Sequence, residues 1–379
     1  MGFTVKGKGV STALNAKVYG CAGNGITDDS DALNRLLARS DVNSVYLPAG
    51  DYLISKTIQI PDGKRLFGDG DTSRIKLAAT FNLTSYPWRN ESGHRTRYPL
   101  LYVGANCVLN NFCVYGDTTE ARDMGQVGIM FHGDNTICRD VSTYNINYFP
   151  DDFIGTNQQG YGPNDLCPGF GLFIFNADNV SVYGGRFDGN GYQGIGVENA
   201  TNILLDGCYV GDSNRTGIQI HRYSTGVIVT GCIVHNENDD KATDIMMHGS
   251  KDSGNNTVKN VIIRDCIAYS STGHRTACIS TVWGYEEDIS IIGCNLKSDK
   301  DGVWLCAQPD PNTGGDGGNS LRNAIVANNN IIAGRNGVRI YGDRVVVTGN
   351  NIIYGTGDDV VIYNGNNTVV ANNLATGQN

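Results

Sequence analysis

The sequence predicts an all-β chain wound into a right-handed parallel β-helix behind an N-terminal capping helix. Three observations carry this reading: a coil-length repeat, a column of small side chains that recurs in it, and short alternating strands separated by Gly and Asn corners. Aligned on the repeat, "NILLDGCYV", "GVIVTGCIV", "NVIIRDCIA", "DISIIGCNL", "NAIVANNNI", "RVVVTGNNI" and "NTVVANNLA" place Cys208, Cys232, Cys266 and Cys294 in one column, which Asn329, Asn350 and Asn373 continue. Intervals of 24, 34, 28, 35, 21 and 23 residues separate these positions; periods of this size mark solenoids, and the longer ones mark inserted loops.

A second strand precedes each of these segments by about ten residues: "GIMFH", "GLFIF", "GIGVE", "GIQIH", "DIMMH", a looser "TACIS", "GVWLC", "GVRIY" and "DVVIY". Each alternates with period two, so the second and fourth positions are expected inward and the first, third and fifth outward. Strands this short with so little helix imply parallel stacking, coil on coil. In that arrangement the cysteine column is a run of buried packing thiols, and the asparagines hydrogen-bond up the stack; no CxxC spacing points to metal. At the other end, "GITDDSDALNRLLARS" reads as a helix with Thr27 as N-cap and an apolar stripe at Leu33, Leu36 and Leu37. It would cover the open edge of the first coil. The chain reads as one domain over 1–379, with the N-terminal segment and capping helix in about 1–40 and the coils in about 41–379.

Composition narrows the function. A net charge of −9 and the absence of a basic run argue against nucleic acid, and no stretch approaches the ~20 apolar residues of a membrane span. The start, "MGFTVKGKGVSTALNAK", lacks the apolar region of a secretory signal.

The run "AKVYGCAGNGITDDSDALNRLL", with "SVYLPAGDYLI" and "RLFGDGDTSRIKL", about Ala16 to Leu77, resembles the N-terminal signature of pectate-lyase-like β-helix proteins. These include phage tailspike depolymerases and, more distantly, the catalytic modules of mannuronan C5-epimerases. The resemblance implies a polysaccharide partner, an extracellular or virion-associated setting and a homotrimer. The epimerase motif Y-G-F-D-P-H falls on "FGLFIF", where Phe170, Phe173 and Phe175 replace its tyrosine, aspartate and histidine, and Glu198 on the next coil keeps the acidic character. No strand carries the adjacent aspartates of a galacturonase.

Chemistry is expected on the outward face. The fifth positions are His132, Phe175, Glu198, His221, His248, Ser280, Cys306, Tyr341 and Tyr363, and the third positions add Phe173, Gly196, Gln219, Met246, Trp304 and Arg339. Glu198, His221 and His248 are the candidate catalytic residues. Phe173, Phe175, Arg215, Gln219, Arg222, Trp283, Trp304 and Arg339 are the candidate substrate contacts, with Phe173 and Phe175 alternatively lying between subunits. A carboxylate, imidazoles and aromatic planes suit a sugar groove, whose walls would be the loops around 235–258 and 307–322. Glycoside hydrolysis needs two carboxyls about 5–9.5 Å apart. Asp244, at about 16 Å by strand geometry, is too far, leaving Asp152, Asp239, Asp240 or Glu287 as the second acid.

The expected function is a polysaccharide depolymerase acting by hydrolysis. The alternatives are a lyase or C5-epimerase on a uronate polymer, with a base such as His221 and an arginine or calcium neutralising the uronate, and a non-catalytic binding spike. No cofactor is required by this chemistry; the aspartate-rich loops allow calcium without specifying it.

Overall fold

In a computed structural model the chain is described over residues 13–377, apart from 85, 89–94, 117–125, 147–168, 214–215, 236–242, 250–256, 271–276, 282–284, 307–319 and 364–365. Three parallel ladders run along it. One stacks Thr201–Asp206, Thr225–Thr230, Thr257–Arg264, Tyr285–Ile292, Ser320–Ala327, Asp343–Thr348 and Val369–Ala371. A second stacks Tyr209–Gly211, Ile233–His235, Ile267–Ser270, Asn295–Ser298, Asn330–Ala333, Asn351–Tyr354 and Leu374–Gly377. The third, the site sheet, stacks Gln126–Phe131, Phe170–Phe175, Gln193–Glu198, Thr216–His221, Thr243–His248, Ala277–Thr281, Asp301–Cys306, Val338–Tyr341 and Val360–Tyr363. Each coil crosses all three faces, as a parallel β-helix requires; the right-handed sense follows the general handedness of parallel crossovers. Among the described residues only Tyr86–Trp88 pairs antiparallel, with Arg95–Val103.

The core is the interior of this prism. Ile195 and Val197, Ile203 and Leu205, and Val210 meet there from the three faces of one coil. The cysteine column lies at an interior corner, where Cys232, Cys266 and Cys294 direct their thiols at the carbonyls of Leu205, Val229 and Ile263 one coil back, at 3.6, 3.7 and 3.8 Å. Cys208, Cys232, Cys266 and Cys294 are all free and buried. Contact with the Cys232 thiol, together with burial, pushes Cys266 up to about 12, so this thiol stays neutral and unreactive. Where cysteine gives way to asparagine, the packing stack becomes a bonded one: Asn350 Nδ2 donates to Asn373 Oδ1 at 2.9 Å and to Val326 O at 3.0 Å, and its Oδ1 accepts from Asn329 N and Nδ2 at 3.0 and 2.9 Å.

Corners are turned by residues in the left-handed region. Asn179, Asn202, Asn260 and Asn323 have φ of 57°, 57°, 53° and 56°, a conformation that asparagine tolerates and most side chains do not. Asn202 Nδ2 also donates to Asn179 Oδ1 at 3.2 Å.

The N-terminal helix, α1, spans Ser30–Leu37 and buries Leu33, Leu36 and Leu37 as expected. Its cap position is Asp29 rather than Thr27. The Asp29 carboxylate reaches back to accept from Ala22 N and Gly23 N at 2.6 and 2.9 Å, which ties the preceding turn to the helix and fixes where it can begin. No helix among the described residues is long and apolar enough to cross a membrane.

Candidate functional site

The site sheet turns two sets of side chains outward along register-locked columns. One column runs Met130, Phe173, Gly196, Gln219, Met246, Ser280, Trp304 and Arg339. The other brings Phe175 beside Glu198, and His221 beside His248. Ser280 therefore belongs to the third position, not the fifth, because it pairs in register with Met246, which aligns the strand as "CISTV" rather than "TACIS". The first position is also corrected. A Cβ on Gly194 or Gly217 would meet the Val210 or Val234 side chain within 2.2 or 2.3 Å, so this position faces the interior corner, which Asp244 and Cys278 occupy fully buried. The residue before it faces out instead, placing Phe170, Gln193, Thr216 and Thr243 in one more outward column.

Glu198 sits at the centre of a polar network spanning three coils. Its Oε2 lies 3.0 Å from His221 Nδ1, and its Oε1 is 3.7 Å from Arg222 Nε. The carboxylate side chain is only 7% exposed and the His221 ring 13%, so their attraction is little screened by solvent. His221 lies against His248 with ring centroids 4.5 Å apart. Gln219 Nε2 reaches His248 Nδ1 at 3.3 Å. An amide NH2 only donates, so that Nδ1 accepts, placing the proton of a neutral His248 on Nε2. Gln219 in turn accepts from Gln193 Nε2 through its Oε1. Gln193 escaped the sequence reading because the alternation was counted from the glycine one residue later; the recurrence of a polar or aromatic residue before each Gly-X-X strand was the available signal.

On one side of this network the face is apolar. Val127, Met130, Phe170, Phe173 and Phe175 form a cluster separate from the core, with Phe173 and Phe175 stacked at 5.4 Å and Arg97 4.8 Å over the Phe170 ring. Phe173 and Phe175, expected to be exposed, are 2% and 6% exposed. Stacked on one another and buried, these rings offer a free plane neither to sugar nor to a second subunit.

On the other side, Arg339 lies 4.8 Å over Trp304 and 5.5 Å from the Tyr363 ring, which stacks on Tyr341. The fully buried Asp301 anchors this end, accepting from Arg335 Nε at 2.8 Å and from Asn336 N and Nδ2 at 3.1 and 2.8 Å, with Arg339 Nη1 3.9 Å away. Trp304 shares a face with His248 but lies two coils on, about 10 Å along the axis.

The remaining acids fall elsewhere. Glu287 stands on another face, paired with Lys259 at 3.1 Å, because "YEEDISII" is a strand of the first ladder and not a loop beside the site sheet. Its neighbour Glu286 turns inward and accepts from Gly249 N, next to His248, at 3.2 Å; burial pushes its carboxyl from 4.5 up to about 8. Asp152, Asp239, Asp240, Arg215 and Trp283 lie outside the described residues, as do most of the two expected wall loops. Among the described residues no group of three or more His, Cys, Asp or Glu could hold a metal ion.

Comparison with known proteins places this geometry. The exopolygalacturonase of Thermotoga maritima superimposes with a TM-score of 0.71 over 96% of this chain and 92% of its own, at 14% identity. The AlgE6 mannuronan C-5 epimerase A-module of Azotobacter vinelandii gives 0.57 over 97% and 100%, at 18% identity, and the Dettilon tailspike protein 0.59 over 92% and 68%, at 16%. These likenesses establish the parallel β-helix. A curated relative, the non-secreted LysM effector LysM19 of Penicillium expansum, is 37% identical over 75 residues, 19% of this chain; the chain spans only about 6% of that protein's length. Residues 13–266 match the model of the rhamnogalacturonase A/epimerase, pectate lyase-like proteins, which is most of the coil stack and the whole Glu198–His248 network: the chain belongs to that family of β-helix proteins.

Proposed function

We propose that the chain cleaves a uronate-containing polysaccharide by proton abstraction, with His221 as base and Glu198 holding it. The observation that carries this reading is the 3.0 Å contact between Glu198 Oε2 and His221 Nδ1. A carboxylate on Nδ1 fixes the ring's orientation and stabilises the imidazolium, leaving Nε2 as the atom that exchanges a proton with substrate. In elimination the base takes the proton beside the uronate carboxylate, a carbon–carbon double bond forms, and the glycosidic oxygen departs. The proton then returns to that oxygen. Arg222, already 3.7 Å from Glu198, supplies positive charge beside the reacting carboxylate. Trp304 and Arg339, two and three coils beyond His248, bind the polymer further along.

Hydrolysis is the second reading, favoured by the burial of Glu198 on a substrate-facing sheet. It needs a partner carboxyl from Asp152, Asp239 or Asp240. The tailspike likeness supports an extracellular or virion-borne setting. Incubation with a panel of acidic exopolysaccharides separates the readings. Elimination yields ultraviolet-absorbing unsaturated uronates together with new reducing ends. Reducing ends alone would replace it with hydrolysis. Binding without either product would remove the cleavage reading, and an unchanged uronate configuration by NMR of the polymer would then remove epimerisation as well.

A further inference from the structure

A second face, opposite in character to the site sheet, carries an aliphatic stripe interrupted only at Ser290. In the ladder from Thr225–Thr230 to Val369–Ala371, the central outward position is Ile228, Ile262, Ser290, Ile325, Val346 and Val369 over six successive coils. Ile262, Ile325 and Val369 are 37%, 40% and 51% exposed. Beside it runs a second outward column: Thr225, Lys259, Glu287, Arg322 and Asp343 in register, then Asn366, which donates its N and Nδ2 to Asp343 Oδ1 at 3.2 and 3.3 Å. The charges alternate coil by coil, positive, negative, positive, negative.

We infer that this face is the contact between two copies of the chain, packed with antiparallel solenoid axes about a two-fold axis lying along the strands between the Glu287 and Arg322 coils. That operation lays each column on itself in reverse. Lys259 then faces Asp343, Glu287 faces Arg322, and Thr225 faces Asn366; in the stripe, Ile262 faces Val346, Ile228 faces Val369, and Ser290 faces Ile325. Every charged position of this column meets its opposite and the stripe covers itself, the self-complementarity that an isologous contact demands. A slip of one coil either way sets Glu287 on Glu287 and Lys259 on Arg322, or Arg322 on Arg322 and Glu287 on Asp343, so the charges reject the neighbouring registers. Six coils of six-residue strands cover about 29 Å by about 17 Å, about 500 Å² per copy. The total, about 1,000 Å², stands at the lower limit for a biological contact, the size of a weak, reversible dimer. The contact differs in face and symmetry from the trimer expected from sequence, and leaves the site sheets of both copies open.

The test is assembly of the full chain in solution. Sedimentation equilibrium is expected to show a dimer. Glu287→Arg brings like charges together twice across the two-fold and should raise the dimer dissociation constant at least tenfold, and Glu287→Arg with Arg322→Glu should restore it. Unchanged circular dichroism keeps these readings separate from misfolding. Within one chain Lys259 and Asp343 are three coils apart, about 14 Å, so a chain carrying both Lys259→Cys and Asp343→Cys should oxidise to a covalent dimer, whereas either single variant should not. A monomer at about 100 µM, concentrated enough to reveal even weak association, would hand the stripe to some other partner and overturn the inference. So would a trimer, a dimer indifferent to Glu287→Arg, or equal cross-linking by a single-cysteine variant.

Discussion

The interior column that begins at Cys208 and the outward column that begins at His132 wind through the same coils, yet only one of them repeats. Four cysteines and then three asparagines fill the interior corner, whereas the outward column passes through histidine, phenylalanine, glutamate, two histidines and, at the far end, tyrosines. The interior position is constrained equally in every coil, by the carbonyl one coil back and the width of the corner. The outward position has no such common constraint, so variation there follows each coil's own surroundings, an apolar cluster at Phe175 and a polar network from Glu198 to His248. Within a repeat, heterogeneity locates function more sharply than regularity does.

The strongest break of this comparison is at Glu198. Glu198→Gln keeps the shape but loses the charge that holds His221, and turnover should fall about 10²–10⁴-fold, with the thermal midpoint shifted little. An activity assay beside a melting curve reads both, and an intact rate would return Glu198 to a structural role. His221→Ala should abolish product formation while binding of the polymer, measured by calorimetry, persists.

Next in size is an interior carboxyl that behaves like neither column. Glu286 is raised from 4.5 to about 8 by burial, so between these values the unfolded chain ionises while the folded one keeps its proton. The contribution of this group to stability is therefore fully present below about pH 4.5 and is lost progressively as pH rises to about 8, by a few kcal/mol in all. Chemical denaturation from pH 5 to 8 should show this decline, and Glu286→Gln should flatten it.

The interior column itself should respond in two grades. Asn350→Leu strands the Asn329 N–H and amide that it now satisfies and should cost about 3 kcal/mol. Cys266→Ala removes one sulfur from a packed corner and should cost about 1 kcal/mol, without any change in sensitivity to oxidant. Equal losses at both sites would erase the distinction between the bonded and the packed halves of the stack. Trp304→Ala is the mildest: polymer affinity should weaken several-fold, about 1 kcal/mol, with turnover at saturation unchanged.

The coil stack was legible because each inward position must be small or apolar, and that constraint is written into every repeat. The Glu198, His221 and His248 alignment followed from the same register. What the sequence concealed was local. The strand register at Ser280 slipped because "TACIS" and "CISTV" alternate equally well, and Glu286 and Glu287 are indistinguishable until Val258 and Leu321 on adjacent coils show which one points inward. The burial of Phe173 and Phe175 was hidden for another reason: alternation gives a side chain's direction but not what packs against it.

The left-handed asparagines at the corners give the chain the same heading each time it enters a new coil. A whole turn can therefore be removed without redirecting the coils beyond it. Excising residues 330–350, the 21 positions that separate Asn329 from Asn350, would join Asn329 to Asn351 and reproduce an existing junction. The groove would lose the Arg339 rung and shorten by one step of about 4.8 Å. Segments gained or lost in frame can thus change the length of the proposed substrate tract in whole increments, while the Glu198–His221 contact stays untouched.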